Sequence, residues 1–340
     1  MKPVFGALVA SLLILSGVLP NTEASTWRTQ TIALQKGWNA VFLEVYPDAP
    51  APAAVFANTP IDVVAAFYAR TSTAQFVTDP GADLLNQAGW AVWYAESRPD
   101  AFLKTLHATY GQQAYLVHAA QDHTWTISGS VVPPRIRWQP DSFNLVGFSV
   151  SKEAPPTFAQ FFAGSKAHRH NRLYRLVNGS WQRINDPSAE PMRSGEAFWI
   201  YCDGGSKYQG PLSVETTSHR GVMLWSGTDS LILRNQTDFP IRSTVEQVAT
   251  GADAPPLSIV ARAVGFRGAP VSTIAAPKPA GAWTQAIPVL AGGAALRLPL
   301  EARRQEQRVF ANSALLKIST DLGTEVWIPV VSIREDLEEK

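Results

Sequence analysis

The chain has 340 residues, and its 29 lysines and arginines balance 28 aspartates and glutamates to a formal net charge of +1. This near-neutral balance excludes strong electrostatic attraction of the whole chain to nucleic acid or to an anionic membrane. With 46% hydrophobic residues, 17% charged residues and 25 prolines, the composition excludes a disordered chain and favours a β-rich protein with many turns.

The first predicted element is a secretory signal peptide at residues 1–24. Lys2 provides a positive charge, residues 4–19 form an apolar run, and Pro20 ends that run ahead of the small residues that a signal peptidase recognises. The apolar run is short for a bilayer and ends in a helix breaker, which favours a cleaved signal peptide over a membrane anchor. We expect cleavage after Ala24, which leaves no membrane span in the mature chain. An uncleaved N-terminal membrane anchor is the alternative interpretation.

A short phrase then occurs twice, which predicts a duplicated small β unit. Each copy of the phrase is followed by an aromatic strand and by a strand marked with glycine. We expect the first unit over residues 25–134 and the second over residues 135–218. The phrase and its two following strands occupy residues 34–45, 111–117 and 128–132 in the first copy, and residues 138–150, 195–200 and 209–214 in the second.

Within the first unit, alternation and β-branched or aromatic residues predict strands, and one stretch has helical spacing. Residues 99–110 place Phe102, Leu103, Leu106 and Tyr110 on one helical face and predict an amphipathic helix. Residues 53–58 are expected to form a single helical turn. The predicted strands are residues 39–45, 61–69, 75–77, 89–94, 114–119 and 124–132.

The second unit contains a clear hairpin signal. Asn178 and Gly179 tolerate the positive backbone angles of a tight turn, and they lie between the two apolar runs of residues 172–184. Residues 157–163 predict a short helix. Asn39 and Asn144 occupy the same place in the two phrases, and we expect each side chain to close a local turn at a strand entrance.

Residues 219–335 are a series of short strands separated by turn residues, which is typical of an immunoglobulin-like β-sandwich. Residues 336–340 form a polar tail. The predicted fold is therefore mostly β: two related small β units with short helical inserts, followed by the sandwich. Its strands are predicted at residues 230–234, 241–248, 257–264, 283–290, 294–300, 314–319 and 325–333.

Three phrases carry a resemblance to a group of known proteins. Gly37–Pro47 (GWNAVFLEVYP), Gly195–Tyr201 (GEAFWIY) and Tyr208–Leu212 (YQGPL) resemble the N-terminal region of large uncharacterised secreted bacterial proteins. Some of those proteins also carry laminin-G-like (concanavalin-type) domains. The resemblance implies a role at the cell surface or outside the cell, and it supplies no catalytic residues.

The candidate ligand-binding residues are four of the eleven tryptophans: Trp90, Trp93, Trp181 and Trp199. Flat aromatic faces stack on sugar rings, so a solvent-facing row of these side chains would bind a glycan. Aromatic residues at alternating strand positions more often pack in the core, and this second interpretation is the favoured one. We expect any site to lie where the two units differ: in the inserts of the first unit, in the loop at residues 168–172 or at the seam between the units.

Two further groups of residues have side chains that bind metals or act as nucleophiles in other proteins. His168 and His170 form a weak metal motif, since two imidazoles need at least one more ligand for zinc, and a solvated loop is the favoured interpretation. Cys202 is the single cysteine, so no intramolecular disulfide can form, and it is expected to pack at a strand end rather than to act as a nucleophile. No metal and no cofactor is predicted.

The hypothesis that these features support is a secreted, periplasmic or cell-surface module without catalysis, with an interaction or a structural role. An extracellular glycan or an envelope protein is its candidate partner. Motifs of serine hydrolases, zinc proteases, nucleotide-binding loops and dinucleotide-binding folds are absent from the sequence. The alternative is an extracellular hydrolase acting on a polysaccharide or another polymer. Its two carboxylates need to be near each other only in space, so the sequence leaves this alternative open.

Overall fold

The computed structural model describes residues 26–69, 72–84, 87–170, 172–225, 228–248, 254–262, 273–277, 282–307 and 309–334. The predicted signal peptide and polar tail lie outside these residues. Within them the chain is mostly β and forms several sheets, as the sequence predicts. In this described part, no helix has the length and apolar character that a membrane crossing needs.

The N-terminal region contains a three-stranded and a four-stranded antiparallel sheet. The orders are β1-β7-β3 and β2-β6-β4-β5 when the strands are numbered along the chain. The elements are β1 (Trp27–Leu34), β2 (Gly37–Leu43), β3 (Tyr46–Pro47), α1 (Pro52–Val55), β4 (Ile61–Phe67), β5 (Trp90–Tyr94), a 3-10 turn at Ala101–Leu103, β6 (Gln113–Ala119) and β7 (His123–Ser130).

The next region forms a second four-stranded antiparallel sheet, with order β10-β9-β11-β8. The predicted hairpin is confirmed, because Asn178 and Gly179 have φ angles of 49° and 80° between paired strands. The elements are β8 (Ser142–Gly147), α2 (Phe158–Phe162), a 3-10 turn at Lys166–His168, β9 (Leu173–Val177), β10 (Ser180–Arg183) and β11 (Ala197–Cys202).

The two four-stranded sheets have the same strand order. In each sheet the first strand pairs with the fourth, the fourth with the second, and the second with the third. The entrance turns also match: Asn39 and Asn144 each bond to the backbone three times, as predicted. This geometry is the one expected of a duplicated unit, and the common origin of the two sheets stays a prediction.

The two four-stranded sheets pack face to face. In β2, Val41 and Leu43 face the core shared with the three-stranded sheet, whereas Ala40 and Phe42 face the second four-stranded sheet. β2 is therefore buried on both faces, which explains why its hydrophobic alternation is imperfect. The far face of the second sheet is covered by the phenylalanines of α2.

The C-terminal region is a β-sandwich of two five-stranded sheets, with orders β12-β14-β19-β16-β17 and β13-β21-β20-β15-β18. One apolar core lies between them and includes Leu231, Val245 and Leu316. The immunoglobulin-like arrangement stays a prediction. The elements are β12 (Leu212–Thr216), β13 (Val222–Leu224), β14 (Thr228–Asn235), β15 (Ile241–Val248), β16 (Leu257–Arg262), β17 (Thr273–Pro277), β18 (Trp283–Leu290), β19 (Ala295–Ala302), a 3-10 turn at Arg304–Glu306, β20 (Ala311–Thr320) and β21 (Glu325–Ile333).

The amphipathic helix predicted at residues 99–110 is wrong, since only the 3-10 turn at Ala101–Leu103 forms there. Phe102 is 79% exposed, so its helical spacing does not mark a buried face. After this turn the chain lies along the open edge of the first four-stranded sheet, where Thr105 and Leu106 donate backbone N–H groups to the carbonyl of Val92. Hydrogen bonding to an unpaired sheet edge replaces the helix.

Two strand predictions also need correction. Residues 75–77 form no strand, because β4 already pairs with β5 and β6 on its two sides, and Phe76 is 88% exposed. Residues 209–214 were expected to close the second unit. Instead β12 is hydrogen-bonded to β14, and Leu212 packs in the core of the sandwich.

Candidate functional site

Three of the four candidate tryptophans meet at the seam between the two four-stranded sheets. The ring centroid of Trp199 lies 6.3 Å from that of Trp90 and 6.2 Å from that of Trp181, in edge-to-face geometry. Phe67 completes the cluster at 5.2 Å from Trp199. We call these four side chains the tryptophan cluster. Edge-to-face packing at such distances is the favourable arrangement of aromatic rings in a core.

Trp93 lies on the opposite face of the first four-stranded sheet, where its ring packs 5.6 Å from that of Phe56. Trp93 and Trp199 are only 5% and 4% exposed, while Trp90 and Trp181 are partly buried. The structure thus brings three of the four predicted residues together and separates the fourth. Their surroundings are those of core residues, and their exposure gives no support to a solvent-facing row.

At another part of the same seam, the two sheets leave an open cavity of about 540 Å³. Its aromatic lining includes Tyr46, Phe67, Tyr68 and Tyr110, and we call this cavity the aromatic cleft. Tyr110 is 48% exposed, and Tyr46 and Tyr68 are partly exposed. Polar groups are interspersed among the rings: Gln112 and Gln113 from the first sheet, Asn144 from the second, and Arg135 and Arg137 from the connection between β7 and β8.

The position of Tyr110 is set by a buried neighbour. The hydroxyl of Tyr115, a fully buried residue of β6, accepts from the backbone N–H of Tyr110 at 2.7 Å and donates to its carbonyl at 3.1 Å. The next residue, Gly111, lies directly against Val45 and Tyr46, and a Cβ atom there would approach the backbone nitrogen of Tyr46 to 2.7 Å. These contacts hold the tyrosine-bearing turn against β3.

Two tyrosines of the cleft have phenol pKa values above the ordinary value. Burial raises the pKa of Tyr68, a hydrogen bond with the side chain of Gln113 opposes this effect, and proximity to Tyr110 adds to it. Burial likewise raises the pKa of Tyr46. The phenols of Tyr46 and Tyr68 are therefore neutral near pH 7, and a neutral phenol can donate and accept a hydrogen bond.

The other wall of the cleft is formed by β8. Gly147 lets this strand approach β2, since a Cβ atom there would lie 2.3 Å from the Cβ of Phe42. Asn144 is buried, and its side chain is engaged by the entrance turn of β8. It therefore shapes the wall of the cleft rather than offering a free amide to a ligand.

The residues of the cleft were not among the candidates predicted from the sequence. Tyr110 belongs to the insert that precedes β6, and the cleft lies at the seam between the sheets. Both places are among those where we expected a site. No local pattern distinguished these tyrosines from the tryptophans, because exposure depends on how the two sheets dock.

The histidine pair does not share a face. His168 is 2% exposed and stacks among Trp138, Phe162 and Tyr208, and its Nδ1 lies 2.6 Å from Ser165 Oγ. Burial lowers the pKa of His168 to about 4, so its ring is neutral at pH 7. His170 points into solvent. In the described residues, no group of three or more histidine, cysteine or acidic side chains could hold a metal ion.

Cys202 packs as the sequence predicts. It is fully buried in the core beneath α2, and its Sγ lies 3.2 Å from the carbonyl oxygen of Gly204. Burial raises the pKa of its thiol to about 11, with smaller contributions from Asp203 and Asp141. The thiol is protonated at neutral pH, which is the unreactive form.

Comparison with known proteins finds no matching family model and no matching curated protein. Among solved structures, the chain is similar to Escherichia coli alpha-2-macroglobulin activated by porcine elastase, with 13% identity over 91% of this chain and 33% of that one and a TM-score of 0.20. It is also similar to a calcium-binding mutant of Bacteroides uniformis beta-glucuronidase 2, with 7% identity over 89% of this chain and 32% of that one and a TM-score of 0.16.

The chain spans about a third of the length of each of these two proteins. Because the TM-scores are this low, neither likeness carries an argument about fold or function. The comparisons also lend no support to the laminin-G-like resemblance, which stays a prediction.

Proposed function

We propose that this protein is a secreted or envelope-associated module without catalysis, which binds a glycan in the aromatic cleft. The observation that carries the proposal is the lining of that cleft. Partly exposed tyrosine rings stand beside glutamine and arginine side chains in a cavity of about 540 Å³. Export rests on the predicted signal peptide, so the proposal places the cleft outside the cytoplasm.

The chemistry of the cleft suits sugar rings. A sugar ring has an apolar face of C–H groups that packs against an aromatic ring, and a rim of hydroxyls that takes hydrogen bonds from neutral polar side chains. Tyr68 and Tyr110 provide ring faces together with hydroxyl groups. Gln112 donates to the Glu44 carbonyl at 3.0 Å and Gln113 is hydrogen-bonded to Tyr68, so their amides offer a sugar the hydrogen-bonding capacity that these contacts leave. Ligand sites are typically concave, largely aromatic or apolar, and furnished with a few polar groups.

The hydrolase alternative needs two carboxyl groups on either side of the scissile bond. Among the described residues that line the aromatic cleft, none is an aspartate or a glutamate. This lining favours binding over glycoside cleavage. An envelope protein is the other class of partner that the predicted location allows.

Affinity measurements on polysaccharides test the proposal. The protein is run through native gels containing a neutral or an acidic polysaccharide, and retardation is compared with Tyr68→Ala and Tyr110→Ala. We expect at least one polysaccharide to retard the protein, and each substitution to weaken that binding by roughly 3- to 10-fold, the scale of one aromatic contact. Phe102→Ala is the matched control, because this exposed ring lies outside the cleft.

Equal weakening by Phe102→Ala and Tyr110→Ala would place binding elsewhere and overturn the proposal. Absence of retardation by every polysaccharide, together with tyrosine-dependent capture of one purified envelope protein, would favour the protein partner. Release of reducing sugar ends from a bound polysaccharide would establish the hydrolase alternative.

A further inference from the structure

A second cavity, of about 1040 Å³, adjoins the aromatic cleft on the far side of the β7–β8 connection. Arg135, Ile136 and Arg137 line both cavities, so they form the ridge between them. One wall of the second cavity is formed by the segments at residues 164–167 and 205–209, which follow α2 and β11, and the other wall is formed by β12 of the sandwich. We call it the basic groove.

Four exposed cations surround the basic groove: Arg135, Arg137, Lys166 and Lys207. None of the four has an ion-pair partner in the described part of the chain. The acidic residue in the lining is Glu215, and Arg234 lies 3.5 Å from its carboxylate. The groove therefore has an excess of positive charge, although the whole chain is almost neutral.

The cations are carried by segments that buried aromatic residues hold in place. Arg137 precedes Trp138, whose indole N–H donates to the Tyr208 carbonyl at 2.7 Å. Lys207 precedes Tyr208, whose hydroxyl donates to the Phe161 carbonyl. Lys166 lies between Ser165 and His168, which are bonded to each other. The charges therefore project from ordered backbone, which reduces the entropy lost on binding.

The ridge is anchored in the same way. The Ile136 backbone N–H donates to Gln209 Oε1 at 2.7 Å, and Gln209 Nε2 donates to the Ile136 carbonyl at 2.9 Å. Arg135 and Arg137 flank this anchored residue, and both side chains are exposed and line the two cavities. A ligand that crosses this ridge contacts both cavities.

We propose that the basic groove binds the carboxylate or sulfate groups of an acidic polysaccharide, whose neighbouring sugar rings lie in the aromatic cleft. This inference rests on the proposed function and specifies its ligand class. The hydroxyl of Ser206 accepts from the Tyr208 N–H and that of Thr216 donates to the Ser218 carbonyl, so each keeps capacity for a further hydrogen bond with a sugar hydroxyl. The aromatic residues of the groove, Trp138 and Tyr208, are each 7% exposed and offer no platform for stacked nucleobases, which disfavours single-stranded nucleic acid.

The test compares polygalacturonate with its fully methyl-esterified form, and hyaluronan with neutral galactan, using the full mature chain. We expect the charged forms to bind more tightly than the uncharged forms. Raising the salt concentration should lower the affinity for the charged polysaccharides only, because salt screens the attraction between exposed charges. Lys166→Gln with Lys207→Gln should weaken acidic binding by roughly tenfold, about half a decade for each exposed charge contact, and leave neutral binding unchanged.

The matched control is Lys36→Gln with Lys104→Gln, which removes the same charge from exposed positions outside both cavities. Its binding should equal that of the parent protein. Equal affinity for polygalacturonate and its methyl ester would overturn the proposed role of the basic groove and leave that of the aromatic cleft standing. Failure of the parent protein to bind any polysaccharide would overturn the proposed function itself.

Two further outcomes would also overturn the inference. The first is tighter binding of duplex DNA or of phosphatidylglycerol vesicles than of any acidic polysaccharide. The second is equal weakening by the groove and control pairs of lysine substitutions, which would mean that the groove has no special role.

Discussion

The seam between the two four-stranded sheets has two parts that use aromatic residues differently. In the tryptophan cluster, Trp199 is 4% exposed and its ring edges contact other rings. In the aromatic cleft, Tyr110 is 48% exposed, and hydrogen bonds between its backbone and the Tyr115 hydroxyl fix its position in place of ring contacts. Tyr115 is fully buried whereas Tyr110 is half exposed, so residue type alone does not decide whether an aromatic side chain stabilises the fold or remains available to a ligand, and the docking of the sheets does.

The largest effect should come from emptying the tryptophan cluster. Trp199→Ala is expected to lower the free energy of unfolding by about 3–5 kcal/mol, the usual cost of removing a large buried aromatic side chain. Trp199→Phe should cost less, because it keeps a ring and removes an indole N–H that has no hydrogen-bond partner among the described residues. Urea denaturation measures both changes, and a cost below about 1 kcal/mol for Trp199→Ala would show that the cluster is not a core.

His168 is a buried ring that, unlike those of the tryptophan cluster, can acquire a charge. The rings of Trp138, Phe162 and Tyr208 surround it. Burial lowers the pKa of His168 from 6.5 to about 4, so the unfolded chain takes up the proton first as the pH falls. The stability contribution of the neutral ring is therefore complete above pH 6.5 and is lost between pH 6.5 and about 4. Linkage puts the loss at about 3 kcal/mol.

Other groups titrate in the same pH range, so the measurement is the difference between the parent protein and His168→Gln. Urea unfolding at several pH values should give the parent the steeper decline. Trp138, whose ring centroid lies 4.2 Å from that of His168, provides a local fluorescence readout. Parallel stability curves for the two proteins would contradict a buried neutral histidine.

The matched entrance turns allow an internal comparison of burial. Asn144→Ala should destabilise by about 2 kcal/mol and Asn39→Ala by about 1 kcal/mol, because the same three hydrogen bonds are lost but unsatisfied groups cost more where water is excluded. Asn144 is 3% exposed, whereas Asn39 is partly exposed. Thermal unfolding of the two variants gives the ratio of the two losses of stability. Equal losses would mean that burial at the seam does not raise the cost of the unsatisfied groups.

The smallest effect on stability is expected in the cleft. Tyr110→Ala should change the free energy of unfolding by less than about 0.5 kcal/mol, since an exposed side chain loses few contacts. Denaturation measured beside polysaccharide binding separates the two roles. A loss of stability as large as that of Trp199→Ala would make Tyr110 a core residue and remove the distinction between the two parts of the seam.

Much of the fold follows from local patterns. β15, β18 and β21 have the bounds that alternation predicted, and the Asn178–Gly179 turn forms as expected. The failures share a cause. The segment expected to be helical at residues 99–110 bonds instead to the open edge of β5, and residues 75–77 form no strand because both edges of β4 are occupied, so the availability of sheet edges decided both.

The candidate site was less predictable than the fold. The sequence pointed to the seam and to the inserts, but it singled out tryptophans that the structure packs in the core. Tyr46, Tyr68 and Tyr110 are distant from one another along the chain, and they face one cavity only because β3, β4 and the turn before β6 converge. Local periodicity carries no information about such convergence.

By itself, the sequence determined the β-rich class, the repeated phrase with its asparagine turns, the hairpin and the packing of Cys202. These features depend on residue periods and on turn chemistry that act within a few residues. Only the tertiary structure decided which aromatic rings are exposed, and only it gathered Arg135, Arg137, Lys166 and Lys207 around one groove in a chain of net charge +1. The physical reason is that exposure and electrostatic potential depend on distances in space, which the docking of separate sheets sets.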